Sequence, residues 1–344
     1  MDTRRVPGIQ QKGNKWRFRV RDGDGRRRWV WCDTLAEAIE RKRGAVPPPT
    51  EPEGVRVEGL TLDEEPPPIE EVWSKAIRTS ERVLAMAQRK TQQSIELPSE
   101  PCAIAFLSDL HLGAPGTDYR AARRDAEIVR DTPGFYAVFH GDGFDNWIIG
   151  KLQPLQRGQA VPYDEEVALF VDWLNILRGK LLAVVLGNHD NWSRKVGAVD
   201  FIRKALDGAR LLFDTQQVYF LLVHGDTTRR VLVRHKWRGS SIYNVTHGIE
   251  VGWDRLGVNF DWGIAGHTHI GTYCRPFTRH RKRRHAILTG AYKLVDEFAA
   301  EIGFAPTDGM GCGAMVLHPD GREWWFDGLS EAAEFLTYLR SKGG

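Results

Sequence analysis

Five times along the central and later chain, a short apolar run stops at a polar, mostly glycine-containing tip. In the middle of the series Leu181-Leu182-Ala183-Val184-Val185 runs into Leu186-Gly187-Asn188-His189-Asp190. A run of that length halted by Gly and Asn predicts a buried strand that ends in a tight loop, with polar side chains emerging at its carboxyl end. The same grammar governs residues 103–107 before Ser108-Asp109-Leu110-His111, residues 135–139 before His140-Gly141-Asp142, residues 219–223 before His224-Gly225-Asp226, and residues 262–265 before Gly266-His267-Thr268-His269. Helical periods at 119–130, 164–178 and 199–206 alternate with these strands, and such alternation predicts an α/β layer arrangement. Ligands of open α/β sheets bind beyond the carboxyl ends of the strands. Five tips that deliver Asp, His and Asn to one rim therefore point to a metal site.

Later alternating segments, 286–288, 314–317 and 323–326, predict closing strands, and 329–340 a terminal helix. Residues 227–261 show little periodicity and read as an irregular segment that supplies substrate contacts. The run Arg279-His280-Arg281-Lys282-Arg283-Arg284-His285 reads equally as a solvated loop or as a grip on a phosphate backbone.

The N-terminal stretch obeys a different period. Lys15-Trp16-Arg17-Phe18-Arg19-Val20-Arg21 alternates along its whole length, which in a strand sets Trp16, Phe18 and Val20 on one face and cations on the other. Asp22-Gly23-Asp24-Gly25 predicts a hairpin turn, Arg26-Arg27-Arg28-Trp29-Val30-Trp31 the returning strand, and Thr34-Leu35-Ala36-Glu37 a capping box that opens a helix. Arg17, Arg19, Arg21, Arg26 and Arg28 are candidate phosphate contacts, whereas Trp16, Trp29 and Trp31 are expected in the small core. Residues 46–68, between two proline triplets, read as an extended linker that tethers this domain, 1–45. An apolar stripe over 69–98, with Ile69, Val72, Trp73 and Ile77 on one face, predicts a helix packed on the catalytic domain, 99–344, or on a partner subunit.

Composition narrows the class. Of the net charge of +3, residues 1–45 carry +7, which leaves −4 for the rest: a basic head on a mildly acidic body suits a polyanion. The four cysteines are far apart and form no C-x-x-C pair, against both a zinc knuckle and a disulfide framework. No apolar run approaches the ~18 residues of a membrane helix, and the Arg-rich start has no apolar signal segment, so a cytoplasmic protein away from membranes is expected.

The ordered set D-x-H, G-D, G-N-H-D, H-G-D and G-H-T-H resembles the calcineurin-like metallophosphoesterase superfamily over roughly residues 100–328. The blocks 141–147 and 187–192 are similar to those of phage and prophage members. The resemblance implies an α/β sandwich of two mixed sheets flanked by helices, preceded here by the small three-stranded sheet with its helix. It also implies two divalent ions, with manganese expected and iron, zinc or nickel as alternatives. Asp109, His111 and His269 would hold one ion, Asn188, His224 and His267 the other, and Asp142 would bridge them. His189 would then face the phosphate and protonate the leaving oxygen, oriented by Asp190. Asp145 and Asn146, which follow in the same block, read equally as supports behind the metal ligands or as substrate contacts. Asn146-Trp147 and Asp190 depart from the protein-phosphatase pattern G-D-x-x-D-R-G with G-N-H-E, which turns the expectation toward diesterases.

The head, in G-N-K-W-R-F-R-V-R-D-G-D-G-R-R-R followed by D-T-L-A-E-A, resembles the arm-site-binding domains of tyrosine integrases, whose sheet enters the DNA major groove. A nuclease, with DNA as partner and a homo-oligomer possible in principle, is the leading expectation. The alternatives are a phosphomonoesterase or cyclic-nucleotide phosphodiesterase, and a DNA-binding protein with a vestigial metal site.

Overall fold

The computed structural model describes residues 8–21, 26–44, 68–88, 93–196, 201–239, 241, 243–295 and 311–342. The chain divides into two compact units, residues 1–88 and 89–344. No helix among the described residues is long and apolar enough to cross a membrane.

In the first unit, β1 (Ile9–Lys12), β2 (Lys15–Arg21) and β3 (Arg27–Cys32) form an antiparallel sheet in that order, followed by α1 (Leu35–Gly44). The expected capping box opens α1: Glu37 N donates to Thr34 Oγ1 at 3.1 Å, and the Glu37 carboxylate accepts from Asp33 N at 2.9 Å. Ile9, Phe18, Cys32 and Ala38 form the core, with Trp16, Val20 and Val30 packed against it. Register then settles the other face, because Phe18 lies opposite Val30 while Arg17 lies opposite Trp31, Arg19 opposite Trp29 and Arg21 opposite Arg27. Trp29 and Trp31 thus share the cationic face instead of the core, and Arg17 lies over Trp29 at 4.1 Å. Arg28 pairs with Val20 on the face opposite Arg17, so Arg27 stands where Arg28 was expected. The turn at 22–25 and the linker up to residue 67 lie outside the described residues. In α2 (Ile69–Gln88) the expected stripe forms, but Ile69, Val72, Trp73 and Ile77 are exposed.

The second unit runs β4 (Gln93–Glu96), β5 (Cys102–Leu107), α3 (Tyr119–Asp131), β6 (Phe135–Phe139), a 3-10 helix (Gly150–Gly158), α4 (Tyr163–Ile176), β7 (Leu181–Val185), α5 (Asn188–Lys195), α6 (Phe201–Ala205) and β8 (Leu212–Asp214). It continues with β9 (Gln217–His224), β10 (Thr227–Arg234), α7 (His247–Arg255), β11 (Trp262–Ala265), β12 (Tyr273–Arg279), β13 (Lys282–Leu288), β14 (Gly313–Leu317), β15 (Glu323–Phe326) and α8 (Leu329–Ser341). Two six-stranded mixed sheets result, β15-β14-β5-β6-β7-β8 and β12-β13-β11-β10-β9-β4. Phe106, Val138 and Val185 from the first sheet and Phe220, Val233, Trp262 and Ile264 from the second share one buried core. Complete burial of a side chain such as Phe106 contributes about 1.5–3 kcal/mol. The outer face of the first sheet is covered by α3, α4 and α8, through residues such as Ala122, Trp173 and Leu336, and that of the second by α7 through Ile249 and Trp253.

Strand direction decides what reaches the functional rim. β5, β6 and β7 are mutually parallel, as are β10, β11 and β13. β9 runs antiparallel to β10, with Gln217 opposite Arg234 and His224 opposite Thr227. The tip of β9 therefore points to the opposite edge of its sheet. The segment 227–261, expected to be irregular, contains β10 and α7; the polar start of β10 hid it, since Arg229 is buried against Glu323 at 2.8 Å. The basic run at 279–285 is the tight β12–β13 hairpin, in which His280 and Arg281 take positive φ. It stands at the amino end of β13, away from the rim, with Arg279 paired to Asp254 and Arg284 to Asp261.

Candidate metal centre

Three tips at the carboxyl rim, those after β5, β6 and β11, turn sharply, and the backbone shows it. Eight described non-glycine residues have positive φ, and six of them are Asp109, His111, Asp142, Asn146, His267 and His269. Such left-handed backbone is unfavourable for residues with a Cβ and concentrates at functional sites. Two glycines make the approach possible: a Cβ on Gly187 would fall 2.0 Å from Asp142 Oδ1, and one on Gly266 would fall 2.3 Å from Asp109 Oδ2.

Among the described residues the donors converge in three groups, Asp109 with His111 and His269, Asp142 with His235 and His267, and a third, His111 with Asp145 and His189, that shares His111 with the first. In the first, His269 Nε2 lies 3.0 Å from Asp109 Oδ1 and 3.1 Å from His111 Nε2. In the second, His235 Nε2 lies 2.9 Å from Asp142 Oδ2 and 3.2 Å from His267 Nδ1. Backbone bonds join the groups: His267 N donates to Asp109 Oδ2 at 2.9 Å, and His111 N to Asp142 O at 3.1 Å. His189 N donates to Asp142 Oδ1 at 2.9 Å, while Asn188 Oδ1 is buried without a hydrogen-bond partner among the described residues. A buried acceptor left unpaired is costly, and a cation would satisfy it.

The electrostatics demand positive charge. Burial disfavours the charge on Asp109, yet His235, His111 and His269 outweigh it and hold the carboxyl well below the usual range. Asp142 is lowered against the same burial by His235 and His189. Burial also opposes charge on His111 and His235, but the carboxylates of Asp109 and Asp145, as acceptors, hold the first up at about 10, and Asp142 with Asp109 hold the second at about 9. Burial and the neighbouring His235 push His267 down to about 4. Ionised carboxylates that retain protons on adjacent imidazoles are carboxylates for which a divalent ion competes. The mixed oxygen and imidazole set fits a dinuclear divalent site and does not select the metal.

The rim thus brings together Asp109, His111, Asp142, Asn188, His189, His267 and His269, but not His224. At the far edge, His224 is buried and its Nε2 donates to Glu100 O at 2.7 Å. Seven positions along β9 separate it from Gln217, roughly 23 Å at about 3.3 Å per residue. His235 stands in its stead. The sequence signal for it was the run Val231-Leu232-Val233 stopped by Arg234-His235, which has no glycine at the tip.

Asp190 does not touch the ring of His189. Its carboxylate accepts from Gly187 N and Asp142 N at 2.8 Å and from Gly143 N at 2.9 Å, stitching the β6 and β7 tips together. The His189 ring donates from Nδ1 to the carbonyl of Asp145 and packs against both Trp147 and Trp192, at 4.9 and 4.1 Å between ring centres. Asp145 itself orients His111, accepting from its Nδ1 at 2.7 Å, and also receives Lys293 Nζ at 3.2 Å, Trp147 Nε1 at 2.7 Å and Gln159 Nε2 at 3.1 Å. Asn146 is turned inward, bonded to His189 O and Ser193 Oγ. Lys293 went unnoticed because it follows β13 in a stretch, Gly290-Ala291-Tyr292-Lys293, that matches no motif.

No family model and no curated protein matches this chain. Among solved structures, it is similar to the calcineurin-like phosphoesterase YfkN from Bacillus subtilis, at 12% identity and a TM-score of 0.35, over 71% of this chain and 100% of that one. It is also similar to Vps29 from Chaetomium thermophilum, at 12% identity and a TM-score of 0.34, over 65% and 95% respectively.

Proposed function

We propose that this protein is a dinuclear metal-dependent phosphoesterase that hydrolyses phosphodiester bonds in nucleic acid. The observation that carries the reading is the pair of adjoining donor groups, Asp109/His111/His269 and Asp142/His235/His267, with the unpartnered Asn188 Oδ1 beside them. Bound there, two divalent ions supply a nucleophile at neutral pH and charge to neutralise the phosphoryl oxygens. In this proposal Asp142, whose Oδ2 lies against His235 and whose Oδ1 accepts from His189 N, would be the carboxylate shared by the two ions.

His189 does the proton work in this proposal. Its Nδ1–H is committed to Asp145 O, so Nε2 is the exchanging atom, and burial lowers its pKa and keeps the ring neutral. A phosphate anion nearby favours its protonation, after which Nε2 can donate to the leaving oxygen. Asp145 holds His111 in place from outside the donor group.

The substrate class rests on the head. Arg17, Arg19, Arg21 and Arg27 share one sheet face with Trp29 and Trp31, and Trp31 is 44% exposed. Cations interleaved with aromatic rings suit the phosphates and bases of nucleic acid. Tethering such a surface to a hydrolase raises the local substrate concentration. Purified protein with manganese should cleave DNA or RNA, lose the activity in chelator, and hydrolyse bis-para-nitrophenyl phosphate faster than para-nitrophenyl phosphate. Intact nucleic acids alongside rapid monoester hydrolysis would refute the proposal.

A further inference from the structure

The β12–β13 hairpin concentrates cations and breaks a local rule at its turn. Arg279 lies opposite Lys282, so His280 and Arg281 alone make the turn, with φ of 49° and 59°. A two-residue turn of that kind ordinarily carries Asn-Gly, because left-handed backbone is unfavourable for a residue with a Cβ. A bulky cation kept at such a position points to a task outside the fold.

The rest of the hairpin holds the turn out. β13 pairs with β11 only from His285 onward, so residues 279–284 run past the start of β11 as a two-stranded ribbon. Its base is braced on α7: Arg279 donates to Asp254 from Nε and Nη2 at 3.0 and 3.1 Å, and the His280 ring packs against that of Trp253 at 5.1 Å between centres. Arg281, Lys282 and Arg283 are exposed, and their side chains make no hydrogen bond or ion pair among the described residues. Register puts Lys282 on the face of Arg279 and Arg283 on the opposite one, with Arg281 in the turn between them.

A ribbon with a cation on each face fits an opening whose two walls carry phosphates. B-form DNA has such an opening, for its major groove, about 12 Å wide, admits a two-stranded ribbon. In A-form RNA that groove is deep and narrow, and a single strand has none. We infer that the β12–β13 ribbon enters the major groove of double-stranded DNA, with Lys282 and Arg283 reaching the phosphates of its two walls and Arg281 facing the base edges. Six strand steps separate Lys282 from Leu288, which lies opposite Ala265 at the rim, roughly 20 Å or about six base pairs. The inference rests on the nucleic-acid reading above and adds the form of the substrate: a DNA duplex gripped about six base pairs from the bond that is cut.

Binding of the full chain to a DNA duplex of two helical turns, to one of its single strands and to the matching RNA duplex tests it, followed by fluorescence anisotropy in chelator so that nothing is cleaved. Arg281→Gly and the double variant Lys282→Gln/Arg283→Gln should each weaken duplex DNA by at least about tenfold and lower its log–log salt slope by about one and about two units respectively. Affinity for the other two probes should change far less, since the head alone holds them. Arg281→Gly also relieves the turn, so its thermal midpoint should equal or exceed that of the wild type, which separates a lost contact from a lost fold. Unchanged duplex binding in both variants overturns the inference, as does an equal loss on all three probes, which would leave charge attraction without a groove. Hydrolysis of bis-para-nitrophenyl phosphate with manganese should be the same in wild type and variants; its absence from the wild type would sink the phosphoesterase reading and leave the binding result standing.

Discussion

Two neighbouring strands, β9 and β10, end in histidines that look interchangeable on paper. His224 closes an apolar run and precedes Gly-Asp; His235 closes another and precedes Lys-Trp. Because the strands are antiparallel, His235 meets Asp142 and His267 at the rim, while His224 is buried at the other edge against a backbone carbonyl. A motif specifies a residue and its local turn, but strand direction specifies the address, and direction is a property of the whole sheet.

The contrast can be broken most directly by substitution. His235→Ala should cost activity and the affinity of one of the two metals by more than about a hundredfold, beyond the 10–100-fold typical of residues that only support a ligand. His224→Ala should leave both unchanged. Equal losses in the two variants would end the assignment of His235. Asp145→Asn keeps the shape but loses the charge that orients His111, so metal affinity by calorimetry should fall by about 10–100-fold.

The head offers a sharper form of the same comparison, since Arg27 and Arg28 are adjacent in sequence and on opposite faces. Arg27→Ala should weaken nucleic-acid binding and flatten its salt dependence by about one unit of log–log slope. Arg28→Ala should change less, and identical effects would show that face does not matter.

The smallest effect concerns Glu166, which is buried beneath the β6 tip and accepts from Asn146 N and Gln156. Burial raises its pKa to about 7. A raised carboxyl binds its proton more tightly in the folded protein, so it favours folding below the unfolded value of about 4.3 and loses that contribution as pH climbs to 7. Glu166→Gln should therefore match the wild type in thermal unfolding at pH 5 and exceed it by a few degrees at pH 8. A constant difference at both values would argue against the titration.

Much of this architecture was legible because buried strands with polar tips have a strong local signature. Asp109, His111, Asp142, Asn188, His267 and His269 all stand where an apolar run stops at a turn, and all reach the rim. The head was equally readable in period, for the alternation at residues 15–21 follows from the two faces of a strand. What escaped depended on partners remote in sequence. β10 was obscured because Arg229 is compensated by Glu323, ninety-four positions away. Trp29 and Trp31 looked like core residues until register placed them across from arginines. Asp190 looked like a support for His189, but backbone amides from two loops claim its oxygens.

The donors come from both layers: Asp109, Asp142 and Asn188 hang from the sheet containing β5, β6 and β7, while His235, His267 and His269 hang from the sheet containing β10 and β11. Cations seated among them would rivet the sandwich at its open seam, a mechanical task separate from chemistry. Chelation should then loosen this edge first, visible as faster amide hydrogen exchange at the β6 and β11 tips before the distant hairpin responds.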